Sequence, residues 1–165
     1  MPIKHVNRRA QSYYLHESKT KAGKPKYFFS MKMDGALVDR IPDGFEIYEN
    51  PEGQVFLRKI APRFITDAEL EIVRNGLEKY AKDQLCIVDF KNKDIIIYDS
   101  ERGDYYQKIF RFTLVDEISR EFLVSRWVFF GSIDNWSYPL ASGDLATLTK
   151  QYAPHIGQES FFELT

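Results

Sequence analysis

One cysteine, Cys86, stands among 165 residues. It rules out an internal disulfide and cannot build a cysteine-based zinc knuckle. Its setting, Leu85-Cys86-Ile87-Val88, is an apolar run in which a lone thiol reads as a small buried hydrophobe. A nucleophilic thiol needs a histidine partner and an electropositive neighbourhood. Histidine is also scarce: His5, His16 and His155 are the whole supply. No two of them stand at the one-turn spacing with which a helix presents a metal, so the expectation is no metal and no cofactor.

Glycine-rich phosphate loops are missing too. The chain has neither G-x-x-x-x-G-K-[ST] nor G-x-G-x-x-G, the arrangements that bring backbone N–H groups onto phosphates. It also lacks the G-x-S-x-G elbow that exposes a serine nucleophile. No run approaches the roughly 18 to 20 apolar residues of a membrane-spanning helix. The opening MPIKHVNRRAQ carries no apolar core of a secretory signal. These absences read as a protein of the reducing cytoplasm with no membrane partner. In that compartment the sequon Asn135-Trp136-Ser137 is idle, and Arg102-Gly103-Asp104 is simply a turn.

What the chain has is aromatic rings and charge. Thirteen Phe, ten Tyr and two Trp fit a β-rich protein, since flat rings pack well on a pleated surface. Apolar residues at 44% and charged residues at 28% lie in the ordinary globular range. The length fits one domain, or one domain with an appendage.

The pattern predicts an α+β fold: two N-terminal β-hairpins, a capped helix, a four-stranded antiparallel meander and a C-terminal helix. Tyr13–His16 and Tyr27–Met31 read as strands around a long polar loop from Ser18 to Pro25. Asp34–Gly44, with Gly35, Pro42 and Gly44, reads as a linker or broad turn. Phe45–Glu49 alternates apolar and polar, Asn50-Pro51-Glu52-Gly53 suits a type I turn, and Gln54–Ile60 returns. A helix is expected from Asp67 to about Lys82. Thr66 caps it, Glu69 completes a capping box, and Ile65 and Leu70 stand at staple positions. Leu70, Val73, Leu77 and Tyr80 form its apolar stripe. Gly76 inside it costs roughly 1 kcal/mol relative to Ala, which is tolerable if a neighbour must approach closely.

Leu85–Phe90, Asp94–Asp99, Tyr105–Val115 and Arg120–Phe130 read as the meander. The last is apolar on both faces, as a central strand is. Arg126 interrupts it and needs a partner if buried. Asp144 to about Tyr152 reads as the second helix, with Ser142 or Asp144 as cap and Pro154 beyond its end. Phe161 and Phe162 are placed to dock the C-terminus.

The overall charge of −1 hides a split: residues 1–33 sum to +7 and residues 34–165 to −8. The division reads as a basic N-terminal hairpin, 1–33, before a main α+β domain, 34–165, with folding as one domain over 1–165 the alternative. Lys19, Lys21, Lys24 and Lys26 crowd one predicted loop, with Arg8 and Arg9 ahead of it and Tyr27 and Phe29 directly after. Lysines that track phosphates beside rings that stack on bases are how proteins hold single-stranded nucleic acid. The leading expectation is therefore a non-catalytic binding protein whose basic hairpin contacts nucleic acid or an acidic protein.

Two alternatives remain. Asp89-Phe90-Lys91 places an acid and a lysine on one face of a strand, the acid-x-Lys half of a Mg²⁺-dependent phosphodiesterase. Glu17-Ser18-Lys19 matches the same pattern, so the pattern alone is weak. The third reading is a structural subunit whose exposed aromatics complete a homo-oligomer.

Overall fold

The structure, a computed structural model, describes residues 1–130 and 133–165. It is mixed α+β, mostly antiparallel sheet with two α-helices among the described residues. The chain divides into two units, Met1–Ala61 and Pro62–Thr165. No helix among the described residues is long and apolar enough to cross a membrane.

In the first unit, β1 (Lys4–Val6), β2 (Ser12–Lys19) and β3 (Pro25–Ser30) form an antiparallel sheet in that order. β4 (Phe45–Glu49) and β5 (Val55–Lys59) form a separate hairpin. The stretch expected as a linker is pinned in part. Glu17 N donates to Ala36 O, Val38 N to Leu15 O, and Ile3 N to Val38 O, at 2.8–2.9 Å, so residues 36–38 run beside β2.

One turn design recurs three times in this unit: Asn7–Gln11, Thr20–Lys24 and Asn50–Gln54. In each, the fourth residue's N–H donates to the first residue's carbonyl, and the first residue's N–H donates to the fifth residue's carbonyl. The first side chain then accepts from the fifth N–H: Asn7 Oδ1 at 2.8 Å, Thr20 Oγ1 at 3.2 Å and Asn50 Oδ1 at 2.8 Å. In the two Asn turns the amide also donates to the glutamine that ends the turn. The fourth residue lies at positive φ: Gly23 at 80°, Gly53 at 84° and Ala10 at 59°. Only glycine takes that region without steric cost, so Ala10 is the strained member. The two Asn turns interlock, since Asn7 Nδ2 donates to Gly53 O at 2.7 Å. A unit of this size has a small apolar core, here centred on Leu15 and Val55, and this buried, fully bonded Asn7 helps to fix it.

The second unit begins with α1 (Asp67–Tyr80). Thr66 caps it as the sequence predicts: Glu69 N donates to Thr66 Oγ1 at 3.1 Å, and Thr66 N donates to Glu69 Oε1 at 2.9 Å. β6 (Leu85–Lys91), β7 (Asp94–Ser100), β8 (Gln107–Asp116) and β9 (Glu121–Phe130) follow, paired consecutively and antiparallel. β9 then pairs on its far side with two short strands, β10 (Ile133–Trp136) and β11 (Ala141–Gly143). α2 (Leu145–Tyr152) is capped by Asp144, whose Oδ1 accepts from Thr147 N at 2.9 Å. Two short 3-10 turns, Ala153–His155 and Glu159–Glu163, end the chain.

One face of this sheet carries Ile95, Ile97, Phe110, Phe112, Leu114, Phe122 and Val124. The stripes of α1 and α2 pack on it with Ile156 and Phe161. Gly76 meets the neighbour its position implies: a Cβ there would lie 2.3 Å from Thr149 Cγ2 of α2. Arg126 also finds partners, donating to Leu164 O at 2.9 Å and Phe162 O at 3.3 Å while lying over the Phe161 ring.

Candidate functional site

The basic hairpin is tighter than the sequence implies. Its turn is Thr20–Lys24, so Lys21 and Lys24 sit in the turn, whereas Lys19 ends β2 and Lys26 lies in β3. Cross-strand pairing puts Lys19 opposite Pro25 and Lys26 opposite Ser18. Side chains alternate faces along a strand, so Lys19 belongs to the face of Tyr27 and Phe29, and Lys26 to the face of Phe28. All four lysines are exposed, and none joins an ion pair among the described residues. The hairpin end is thus ringed by cations instead of presenting one flat basic face.

The flanking residues divide differently. Arg8 is committed to the neighbouring hairpin: its backbone N and its guanidinium both bond the Glu49 carboxylate, and Nη2 donates to Asn50 O. Arg9 is exposed, and its backbone N donates to Asn7 Oδ1. Tyr27 and Phe29 are half-buried on the side of the fully buried Leu15. The more available ring is one that spacing alone did not single out. Phe28 is 40% exposed and stacks on buried His16, with centroids 5.2 Å apart and planes 10° apart.

The histidines are all engaged. His5 Nε2 lies 3.0 Å from Glu49 Oε1, His16 Nε2 donates to Lys32 O at 2.8 Å, and His155 Nδ1 lies 2.8 Å from Ser160 Oγ. Cys86 packs against the core, and its thiol is pushed up to about 12, first by burial and then by the nearby Asp99 charge. Such a thiol stays protonated at neutral pH and makes a poor nucleophile.

Asp89 and Lys91 do share a face of β6, and Lys91 pairs across the turn with Asp94. The carboxylates are occupied, however. Asp89 Oδ1 accepts from Phe90 N at 2.8 Å, and Asp94 Oδ1 accepts the Thr113 hydroxyl at 2.7 Å. Among the described residues no three His, Cys, Asp or Glu side chains converge as a metal ion requires.

The sheet face away from the helices holds a cluster that no sequence motif marked. Pairing across β7, β8 and β9 aligns Ile96, Arg111 and Ser125 in one row, and Asp94, Thr113 and Leu123 in the next. Trp136 pairs with Trp127, and the rings meet edge to face at 5.1 Å. Each indole carries a cation: Lys108 Nζ lies 5.0 Å from the Trp127 ring, and the Arg111 guanidinium carbon 4.8 Å from that of Trp136.

Between β10 and β11 the chain makes a four-residue excursion, Ser137 to Leu140, opposite Ser125. Ser137 N donates to Arg126 O and Leu140 N to Val124 O, and Ser137 Oγ accepts from Arg126 N. The excursion raises a wall over a pocket of about 440 Å³, whose lining includes Arg111, Ser125, Leu123, Trp136, Tyr138 and Pro139. Bulged edges of this kind re-aim side chains next to functional sites.

No protein-family model, curated protein or solved structure matches the chain.

Proposed function

We propose that the protein is a non-catalytic binding protein whose first unit holds single-stranded nucleic acid with the hairpin of β2 and β3. The observation that carries this reading is the ring of four exposed lysines, Lys19, Lys21, Lys24 and Lys26, free of ion pairs among the described residues. Four unneutralised cations on one hairpin end repel each other, and a polyanion relieves that repulsion. The unit as a whole carries eleven basic and seven acidic side chains, a net of +4. Phe28, exposed beside Lys26 on the same face, supplies the ring on which a base stacks.

The test is binding of a labelled single-stranded oligonucleotide as salt is varied. Four neutralised phosphates give a slope of log K against log salt near −3, from about −0.7 per phosphate on single strands. Replacing all four lysines with Gln flattens the slope without unfolding the protein. Phe28→Leu keeps the apolar bulk over His16 and weakens binding through lost stacking, worth about 1–3 kcal/mol per base. An acidic protein partner would show the salt slope but no Phe28 effect. No salt-sensitive binding to either class of partner refutes the proposal, as does unfolding of the lysine variant.

A further inference from the structure

The pocket under the Ser137–Leu140 excursion has a chemistry separate from the basic hairpin. Arg111 Nε is buried and makes no hydrogen bond among the described residues. Buried donors without partners are rare in native proteins, and each needs an explanation. No ion pair joins Arg111 to a described carboxylate. The acids that register places in its row and the next are engaged, Asp89 by Phe90 N and Asp94 by the Thr113 hydroxyl. Its guanidinium is nevertheless held in place, stacked on Trp136 and standing on a strand in mid-sheet. A fixed planar fork with an unused N–H is preorganised for a planar or tetrahedral oxyanion.

The remaining lining says what accompanies the anion. Ser125 is a buried polar residue, 4% exposed. It sits beside Arg111 in register. Leu123, Trp136, Tyr138 and Pro139 supply an apolar wall, and Tyr138 is 93% exposed with nothing of its own to pack on. At about 440 Å³ the space falls in the range of small-molecule sites, which are mostly apolar with a few fixed polar groups.

We propose that this pocket binds a small aromatic anion, its carboxylate or phosphate held by Arg111 and Ser125 and its ring laid against Tyr138 and Pro139. The lysines of the hairpin take no part. Both tryptophans of the chain, Trp127 and Trp136, belong to this cluster, so intrinsic fluorescence reports occupancy directly.

The experiment titrates the full chain with benzoate, phenyl phosphate and adenosine monophosphate, and with neutral benzamide as control. Binding is read by calorimetry, and by tryptophan fluorescence for the two single-ring anions. The expected result is saturable binding of at least one anion, with a fluorescence change, and binding of benzamide at least tenfold weaker. A preference for phenyl phosphate or adenosine monophosphate over benzoate identifies a phosphate ligand, and the reverse a carboxylate. Arg111→Lys keeps the charge but loses Nε and the planar fork, and weakens binding tenfold or more. Tyr138→Ser, at an exposed position that the fold does not need, weakens it several-fold and covers the case in which the Arg111 variant does not fold. Gln at Lys19, Lys21, Lys24 and Lys26 leaves it unchanged, which separates this site from the hairpin. The proposal is overturned if none of the three anions binds below millimolar concentration, if benzamide binds as well, or if folded Arg111→Lys binds like the parent.

Discussion

Substituting Gly76 with alanine sets two opposite effects against each other, and the structure decides between them. In an exposed helix interior the change stabilises by about 1 kcal/mol, because alanine has the better helix propensity. At Gly76 the new methyl would lie 2.3 Å from Thr149 Cγ2 and 3.2 Å from Thr149 Cβ, the first far inside contact distance. Thr149 has nowhere to go, being 1% exposed between the helices. Forcing a methyl into a packed core costs typically about 1–3 kcal/mol through shifted backbone and strained rotamers. With the propensity gain subtracted, the net is a loss of up to about 2 kcal/mol, several degrees of melting temperature.

The decisive assay is a double-mutant cycle in thermal or urea unfolding. Thr149→Ser removes the Cγ2 methyl that makes the 2.3 Å clash. By itself it costs roughly the 0.8 kcal/mol of a buried methylene-sized group. In the Gly76→Ala background the same change relieves the overlap, so the double variant is more stable than the sum of the singles predicts by at least about 1 kcal/mol. If Gly76→Ala alone stabilises the protein by about 1 kcal/mol, or if the coupling is zero, the two helices do not meet at this point and the packing argument is wrong.

Two further predictions concern turns and caps. Ala10→Gly relieves a left-handed residue at φ 59° and raises stability by about 0.5–1 kcal/mol once glycine's greater unfolded-state freedom is subtracted. Gly53→Ala, at φ 84° and 3.2 Å from Asn7 Nδ2, lowers it, and equal effects on melting temperature at both positions would refute the shared turn design. Burial raises the pKa of Glu69, but hydrogen bonds from Arg120 and Thr66 outweigh it and hold the carboxyl below its ordinary value of 4.5. A depressed carboxyl contributes stability in full above its unfolded value and loses it as pH falls through its folded one. Denaturation at stepped pH therefore shows a fall below about pH 4.5 that Glu69→Gln flattens, while Thr66→Ala costs about 1 kcal/mol at neutral pH. An unchanged acid limb in Glu69→Gln would show that the box is not ionised.

Elements with a strong local signature were legible before the structure. The Thr66–Glu69 box works because both bonds close within three residues, so the sequence contains the whole device. The β6–β7 hairpin was readable for the same reason, whereas β9 showed only its two apolar faces and Gly76 only its cost to the helix, the neighbour Thr149 lying far along the chain. The shorter elements were not legible. β1 is three residues long and alternates nothing, and β11 pairs with β9 through Ala141, Ser142 and Gly143, none of them a strand-forming side chain. The loop expected from Ser18 to Pro25 shrinks to Thr20–Lys24 because Thr20 and Gly23 close a five-residue turn, which carries Lys19 and Lys26 onto strands. The recurring Asn-x-x-Gly-Gln pattern at residues 50–54 and its Ala-bearing copy at 7–11 were visible in principle. They carry meaning only once the fifth N–H is known to bond the first side chain. The pocket was least legible of all. Arg111, Ser125 and Trp136 come from three strands, and only register brings them into one cluster.

The split partner of β9 has a consequence for how copies of the chain behave toward each other. An uninterrupted edge strand is a template onto which another molecule can add its own backbone. Here that border consists of β10, four residues long, then the bulged excursion with Pro139, then β11, three residues long. Neither piece offers enough consecutive unpaired amides to recruit a foreign strand. Register cannot slip to make a longer one, because Arg126 N and O are both claimed by Ser137. At the opposite border β6 carries the charged residues Asp89 and Lys91, the other common guard against such growth. An aromatic-rich sheet with these two margins can keep rings such as Trp127 and Trp136 within reach of a ligand without inviting fibrils. The excursion that builds the pocket wall is thus also what keeps the sheet finite.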